Sequence, residues 1–206
     1  QITNTNPVPE RFTITYENIR DSLNNRDTKS LYILQGEEGS VRAASDHLGG
    51  IMMEERRLTG VQQPVISFVY DEADQFIPQE TRGLPNSEES KVRARNIARR
   101  GRKYGVGLGI GTQRIVYLDT NVLGQPHTYF VSKLPRASDR DKIKEAFGLS
   151  DRALDQTHKF KRGVWMLVSH DATGIDGEPI IVKLENANER IRVFITGYQL
   201  PPPPTN

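Results

Sequence analysis

Apolar positions along the chain switch between two spacings. Short apolar runs at Ser30–Leu34, Val65–Tyr70 and Val106–Ile110 predict strands. A helical recurrence over Ser40–Leu58 predicts a helix between the first two. A polar loop around Gln79–Ser87 leads into a basic helix over about 88–104 that precedes the third strand. This βαβαβ succession predicts an α/β fold with a mainly parallel sheet flanked by helices. Ligands gather at the carboxyl ends of the strands in such sheets.

The last third changes character. It predicts a strand at Thr128–Lys133, a helix from Ser138 to about Phe147, and a short helix near Ser150–Gln156 with Ser150 as its cap. Strands then follow at Gly163–Ser169, Pro179–Leu184 and Arg190–Thr196. The turn-rich link Asp171–Gly177 suits an antiparallel hairpin, so a C-terminal antiparallel β extension is expected. Residues 1–10 are polar with two prolines and 200–206 hold Pro201 to Pro204, so both ends read as extended arms.

Composition adds limits. With 35% hydrophobic and 26% charged residues in 206, the chain has the make-up of a globular protein with a core of its own. The absence of cysteine rules out disulfides and thiol chemistry, and four scattered histidines show no ligand spacing, so no structural metal is expected. No apolar run approaches the length of a membrane span and no signal-like segment opens the chain, which predicts no membrane partner and a cytoplasmic location. A net charge of +2 conceals an acidic knot at Asp71, Glu72 and Asp74 and a basic run from Lys91 to Lys103.

The acidic knot carries the sharpest chemistry. A buried strand that ends in two adjacent acids presents both carboxylates at the sheet's carboxyl edge. Asp71 suits Mg²⁺ held through its water shell, because that ion keeps waters and takes few protein oxygens. Glu72 suits the orientation of an attacking water in phosphoryl transfer.

The strand Val106–Ile110 ends in Gly111-Thr112-Gln113-Arg114, and in a parallel sheet its tip lies beside the first. A neutral amide there can bond a terminal phosphate or the water without adding negative charge. Gln113, with Thr112 beside it, is therefore the sensor candidate.

The basic helix has Asn86 as a candidate cap with Glu89 three residues on, and Gly105 as its stop. Arg95, Arg99 and Arg102 recur on one stripe while Arg93, Arg100 and Lys103 crowd another. Like charges so close call for a partner anion, either a neighbouring subunit's nucleotide phosphate or a DNA backbone. Lys91, Arg93, Arg95 and Lys103 are the nucleic-acid or interface candidates.

Taken together, the Ser30–Leu34 run, Phe68-Val-Tyr-Asp71-Glu72-Ala73, the block Ile97-Ala-Arg-Arg-Gly-Arg-Lys-Tyr-Gly-Val-Gly-Leu-Gly-Ile-Gly-Thr-Gln-Arg114 and Tyr117–Val131 resemble the HerA family of hexameric DNA translocases. The likeness covers about residues 30–200. It implies a partial RecA-like P-loop NTPase core, of the additional-strand type, over 30–135. An arm over 1–29, C-terminal helices and a hairpin over 136–199, and a Pro-rich tail over 200–206 complete the layout. It further implies that Asp71 and Glu72 form the Walker B pair, that Gln113 is the sensor, and that a trans-acting arginine lies among Arg99, Arg100 and Arg102. ATP and Mg²⁺ are the implied cofactors. The implied partners are further copies in a ring, duplex DNA, and a nuclease or effector subunit of the kind some members use in end resection or antiphage defence.

One departure is plain. No Gly-x-x-x-x-Gly-Lys-Ser/Thr occurs, and Gln35-Gly-Glu-Glu-Gly-Ser40 cannot replace it because its glutamates repel phosphate and it has no lysine. The loop precedes the matching region in the family, so a truncated chain that turns over no ATP alone is expected. A VirB4-like secretion motor and a non-catalytic DNA-binding or assembly scaffold remain alternatives to an ATP-dependent translocase or helicase. Trp165 and Phe147 read as core, His47, His127, His158 and His170 as surface or packing residues, and Asp171 and Asp176 as turn formers.

Overall fold

The computed structural model describes residues 14–25, 31–169 and 179–184. The expected strand at 190–196, the link at 171–177, His170, and the extended ends over 1–10 and 200–206 lie outside them, while part of the expected 1–29 arm is described. The chain forms two compact units, Gln1–Gln125 and Pro126–Asn206.

The described part of the first unit begins with a helix that composition concealed. α1, Tyr16–Asn24, starts in a capping box in which Thr15 and Asn18 exchange side-chain and backbone bonds, and it buries Ile19. The predicted strand at 30–34 does not form over its described residues, which include Leu31 and Ile33 at 85% and 79% exposed. Apolar alternation holds a strand only where a neighbour supplies its ladder and a layer covers one face.

α2, Glu38–Thr59, begins where the Glu37 carboxylate accepts from the backbone N–H of Gly39 and Ser40, and it ends at Gly60 with φ 71°. It lies against α4, Ser87–Arg100, burying Leu48 and Met52 on one side and Ala94 and Ile97 on the other. Full burial of each larger side chain contributes roughly 1.5–3 kcal/mol. The helices approach closely where the stem of Arg93 crosses Gly49. A β-carbon there would come within 2.8 Å of Arg93 Cγ.

β1, Ile66–Tyr70, pairs in parallel with β2, Val106–Ile110, from Ile66 opposite Val106 to Tyr70 opposite Ile110. Ile66 and Tyr70 are buried, and the Tyr70 hydroxyl lies 2.5 Å from Ser45 Oγ on α2. The alternate positions, Ser67 and Val69, are exposed, Val69 at 75%. Between α4 and β2 the chain tightens into a 3₁₀ turn, Gly101–Tyr104, that stops at Gly105 with φ 64°. The basic helix therefore ends four residues earlier than its pattern predicts. Asn86 caps it by position only, its side chain donating instead to the Gly39 carbonyl at 3.0 Å. The short helices α3, Ala73–Phe76, and α5, Thr120–Leu123, complete the unit.

In the second unit β3, Thr128–Val131, β4, Val164–Ser169, and β5, Ile180–Lys183, form an antiparallel sheet in that order. β3, grouped by the sequence with the core, thus pairs with β4. α6, Ala137–Phe147, and α7, Asp151–Thr157, belong to this unit, with Ser150 accepting from Ala153 N as the N-cap. Phe147, Ile143, Leu154, Met166 and Val168 are buried, whereas Trp165 is only half-buried. The rings of Tyr129 and Phe147 stack with centroids 3.5 Å apart. No helix among the described residues is long and apolar enough to cross a membrane.

Candidate active site

The tips of β1 and β2 stay together beyond their last ladder positions. Gly111 N donates to the Tyr70 carbonyl at 2.8 Å, and Ala73 N donates to the Gly111 carbonyl at 2.9 Å. These bonds clamp the turn after β1 to the turn after β2. From one turn stand Asp71 and Glu72, from the other Thr112 and Gln113.

Gln113 Nε2 donates to Glu72 Oε1 at 2.8 Å. Both side chains are accessible rather than sealed in the core. Glu72 adopts φ 48°, ψ 50°, the left-handed region that a residue with a β-carbon enters at a cost of about 1–3 kcal/mol. The contact across the tips and the clamp beneath it hold Glu72 in that geometry. Asp71 is exposed, and its Oδ1 accepts from Glu72 N at 3.0 Å, which orients the carboxylate.

Sequence reasoning missed Asp74 as a site residue. It is only 8% exposed, and its Oδ1 accepts from Thr112 Oγ1 at 2.6 Å, while the same hydroxyl oxygen accepts from Arg114 N at 3.0 Å. Thr112 thus carries the turn on which Gln113 rides, and its proton is committed to Asp74. The signal lay in the acidic knot, whose third member follows one helical turn after Asp71.

The basic helix divides into two sets of cations. Lys91, Arg93 and Arg95 each meet a carboxylate of the fold. Lys91 is buried with Nζ 3.1 Å from Glu88, and that pairing holds the Glu88 carboxyl below its ordinary range. Arg93 Nε donates to Asp46 at 2.9 Å. Arg95 Nε and Nη2 donate to the two oxygens of fully buried Asp119 at 2.9 and 2.6 Å, and this raises the Arg95 pKa. The fold thus gives each of these three nucleic-acid or interface candidates a carboxylate of its own: Glu88 lies three residues from Lys91, while Asp46 and Asp119 are distant in sequence from Arg93 and Arg95. The i, i+4, i+7 stripe hid this, since its first member turns inward.

Arg99, Arg100, Arg102 and Lys103 are exposed and line, with Gln62 and Tyr104, a cleft of about 720 Å³. No carboxylate pairs with them among the described residues; Lys103 Nζ sits 5.8 Å from the Tyr104 ring centroid. The cleft adjoins the start of β2, whereas Gln113 follows its end, so the strand's length of roughly 15 Å separates the arginines from the acids of the same chain.

No protein-family model matches the chain. It is 27% identical over 179 residues to the DNA double-strand break repair helicase HerA of Saccharolobus solfataricus, a match over 84% of this chain and 34% of that protein. Over 155 residues it is 29% identical to HerA of Pyrococcus furiosus, covering 74% of this chain and 26% of the relative. The chain is similar to HerA helicases over most of its length. It spans about a third or less of the length of the HerA proteins it matches, the probable HerA of Methanocaldococcus jannaschii included, at 36% identity over 86 residues.

Among solved structures, VirB4 of Thermoanaerobacter pseudethanolicus is similar with a TM-score of 0.53 and 20% identity, over 77% of this chain and 41% of that one. The DNA-packaging ATPase B204 of Sulfolobus turreted icosahedral virus follows at 0.51 and 15%, over 75% and 66%. These likenesses establish the fold: a P-loop NTPase core of the α/β class, here with its parallel pair β1–β2 and an antiparallel extension. The HerA-like stretch contains the paired strand tips, the clamp beneath them and the cationic cleft.

Proposed function

We propose that this chain is the Walker B, sensor and arginine part of an ATP-dependent DNA translocase or helicase motor of the HerA type. The observation that carries the reading is the bond between Gln113 and Glu72 across two parallel strand tips. A carboxylate and an amide that share one exposed point at the carboxyl edge of such a sheet can address one water and one terminal phosphate together.

The residues fit part of a nucleotide site. An exposed, oriented carboxylate such as Asp71 suits a hydrated Mg²⁺, and Gln113 and Glu72 suit the γ-phosphoryl end. The glycine-rich loop that would cradle the other phosphates is not in this sequence. ATP with Mg²⁺ supplies the phosphoryl group and neutralises its charge. Glu72 orients the attacking water and accepts its proton, and the Gln113 amide holds water and carboxylate in register.

Arg99, Arg100 and Arg102, with no carboxylate partner among the described residues and remote from their own strand tips, suit service to a neighbour's nucleotide in a ring, with a hexamer as the expected form. Duplex DNA is the substrate moved, with a nuclease or effector subunit as partner. Glu72→Gln in the intact protein tests the reading. Hydrolysis is expected to fall at least ~10²-fold while nucleotide binding and assembly persist, and an unchanged rate removes Glu72 from the mechanism.

A further inference from the structure

A second cationic cleft, in the unit that follows residue 125, has no part in the hydrolytic site. It opens at α6 and α7, has a volume of about 910 Å³, and is faced by Arg140, Arg152, His158 and Lys159 with Asp155 as its one carboxylate. We propose that this cleft binds the phosphodiester backbone of nucleic acid.

The way charge is satisfied on the two helices supports this. Where the fold neutralises a cation here it does so with a short pair: Lys144 Nζ reaches both oxygens of Asp151 at 2.7 Å, which raises the lysine's pKa. Among the described residues the only ion pair in the cleft is Arg140 Nε to Asp155 Oδ1 at 4.0 Å, and Asp155 is 71% exposed in its side chain. Arg152 and Lys159 are exposed and pair with no carboxylate among the described residues. Three permanent cations therefore face one loosely held anion.

Arg140 is also fixed in advance. Its Nη1 donates to the carbonyls of Leu134 and Pro135 at 2.9 and 3.1 Å, so the guanidinium is held in place and less side-chain freedom is lost when an anion arrives. Planar guanidinium forks match phosphate geometry, and lysine adds a point charge.

The remaining lining settles which anion. Among the described lining residues Gln156 is neutral, Pro135 is the one apolar residue, and the small imidazole of His158 is the one ring on which a base could stack. A free nucleotide or an unstacked base would find one small ring as its platform, whereas three cations are set for phosphate. Recognition by charge alone suits a repeating phosphate polymer, whose binding gains from counterion release.

The inference rests on the nucleic-acid part of the proposed function and not on hydrolysis, so Glu72→Gln should leave it intact. The test is fluorescence anisotropy of the chain with a labelled 20-base-pair duplex, and with a single strand of equal length, over a series of salt concentrations. Binding that weakens with salt is expected. The double variant Arg152→Gln/Lys159→Gln changes two exposed side chains. It should bind about 10-fold more weakly at low salt, with a log–log salt slope shallower by about two, while circular dichroism stays unchanged. Arg152→Lys/Lys159→Arg should restore both.

A preference for duplex or for single strand identifies which nucleic acid supplies the backbone, and either supports the proposal. No binding to either probe overturns it. So does an unchanged slope in the double variant while Arg99→Gln/Arg100→Gln abolishes binding, and so does tighter capture of a poly-glutamate peptide of equal charge.

Discussion

Arg95 grips Asp119 at two points, 2.9 and 2.6 Å, and so joins the middle of α4 to the first turn of α5. The pair is unequal, because Asp119 is fully buried while the Arg95 side chain is 31% exposed. Deleting the arginine leaves a buried carboxylate that keeps the capping bond from Val122 N, 3.1 Å long. Arg95→Met should therefore cost about 3–5 kcal/mol in urea unfolding. Asp119→Asn keeps a capping acceptor and leaves Arg95 access to water, so its cost should be about 1–3 kcal/mol. Equal costs would show that the carboxylate is hydrated.

Thr112→Val removes the proton donated to Asp74, a carboxylate only 8% exposed. A stability loss of about 1–3 kcal/mol is expected from the unmatched acceptor. The turn that carries Gln113 also loses its bond from Arg114 N, so hydrolysis by the intact protein should fall in kcat more than in KM. Thr112→Ser keeps the hydroxyl and should recover both.

Two glycines separate backbone strain from collision. Gly60 and Gly105 have φ 71° and 64°, but a β-carbon at Gly60 meets nothing within 4 Å, whereas at Gly105 it runs into the Gln62 carbonyl. Gly60→Ala should cost only the left-handed penalty, roughly 1–2 kcal/mol. Gly105→Ala should cost distinctly more, read from denaturant midpoints with the slope held constant.

Burial against Phe147 pushes the Tyr129 hydroxyl up to about 12 from its ordinary 10. The folded state thus favours the neutral phenol, and the stability this gives is full below pH 10 and lost as pH rises from 10 towards 12. Tyr129→Phe should flatten that alkaline decline, and the phenolate absorbance should show one fewer late-titrating tyrosine.

Much of the candidate site was readable because it is local. An apolar run ending in Asp71-Glu72, and a second ending in Thr112-Gln113, each identify a strand and its tip, and parallel pairing places them side by side. What the sequence hid was non-local. The partners of Arg93 and Arg95 lie 47 and 24 residues away, so a stripe of like charge looked unmatched. α1 has nine residues, few of them apolar, and depends on a capping box and on Asn24, whose amide oxygen accepts from buried Arg56 at 2.9 Å. The run at Leu31–Leu34 had strand composition but no ladder partner among the described residues.

Ser67 and Val69 look out from one side of β1, with only the hydrogen atoms of Gly107 and Gly109 beside them across the ladder. Parallel sheets are ordinarily clothed on both sides. Kept by itself at high concentration, the chain should therefore self-associate through this surface. Light scattering should grow with protein concentration, and Val69→Lys, which leaves the buried side of the strand untouched, should make the preparation better behaved.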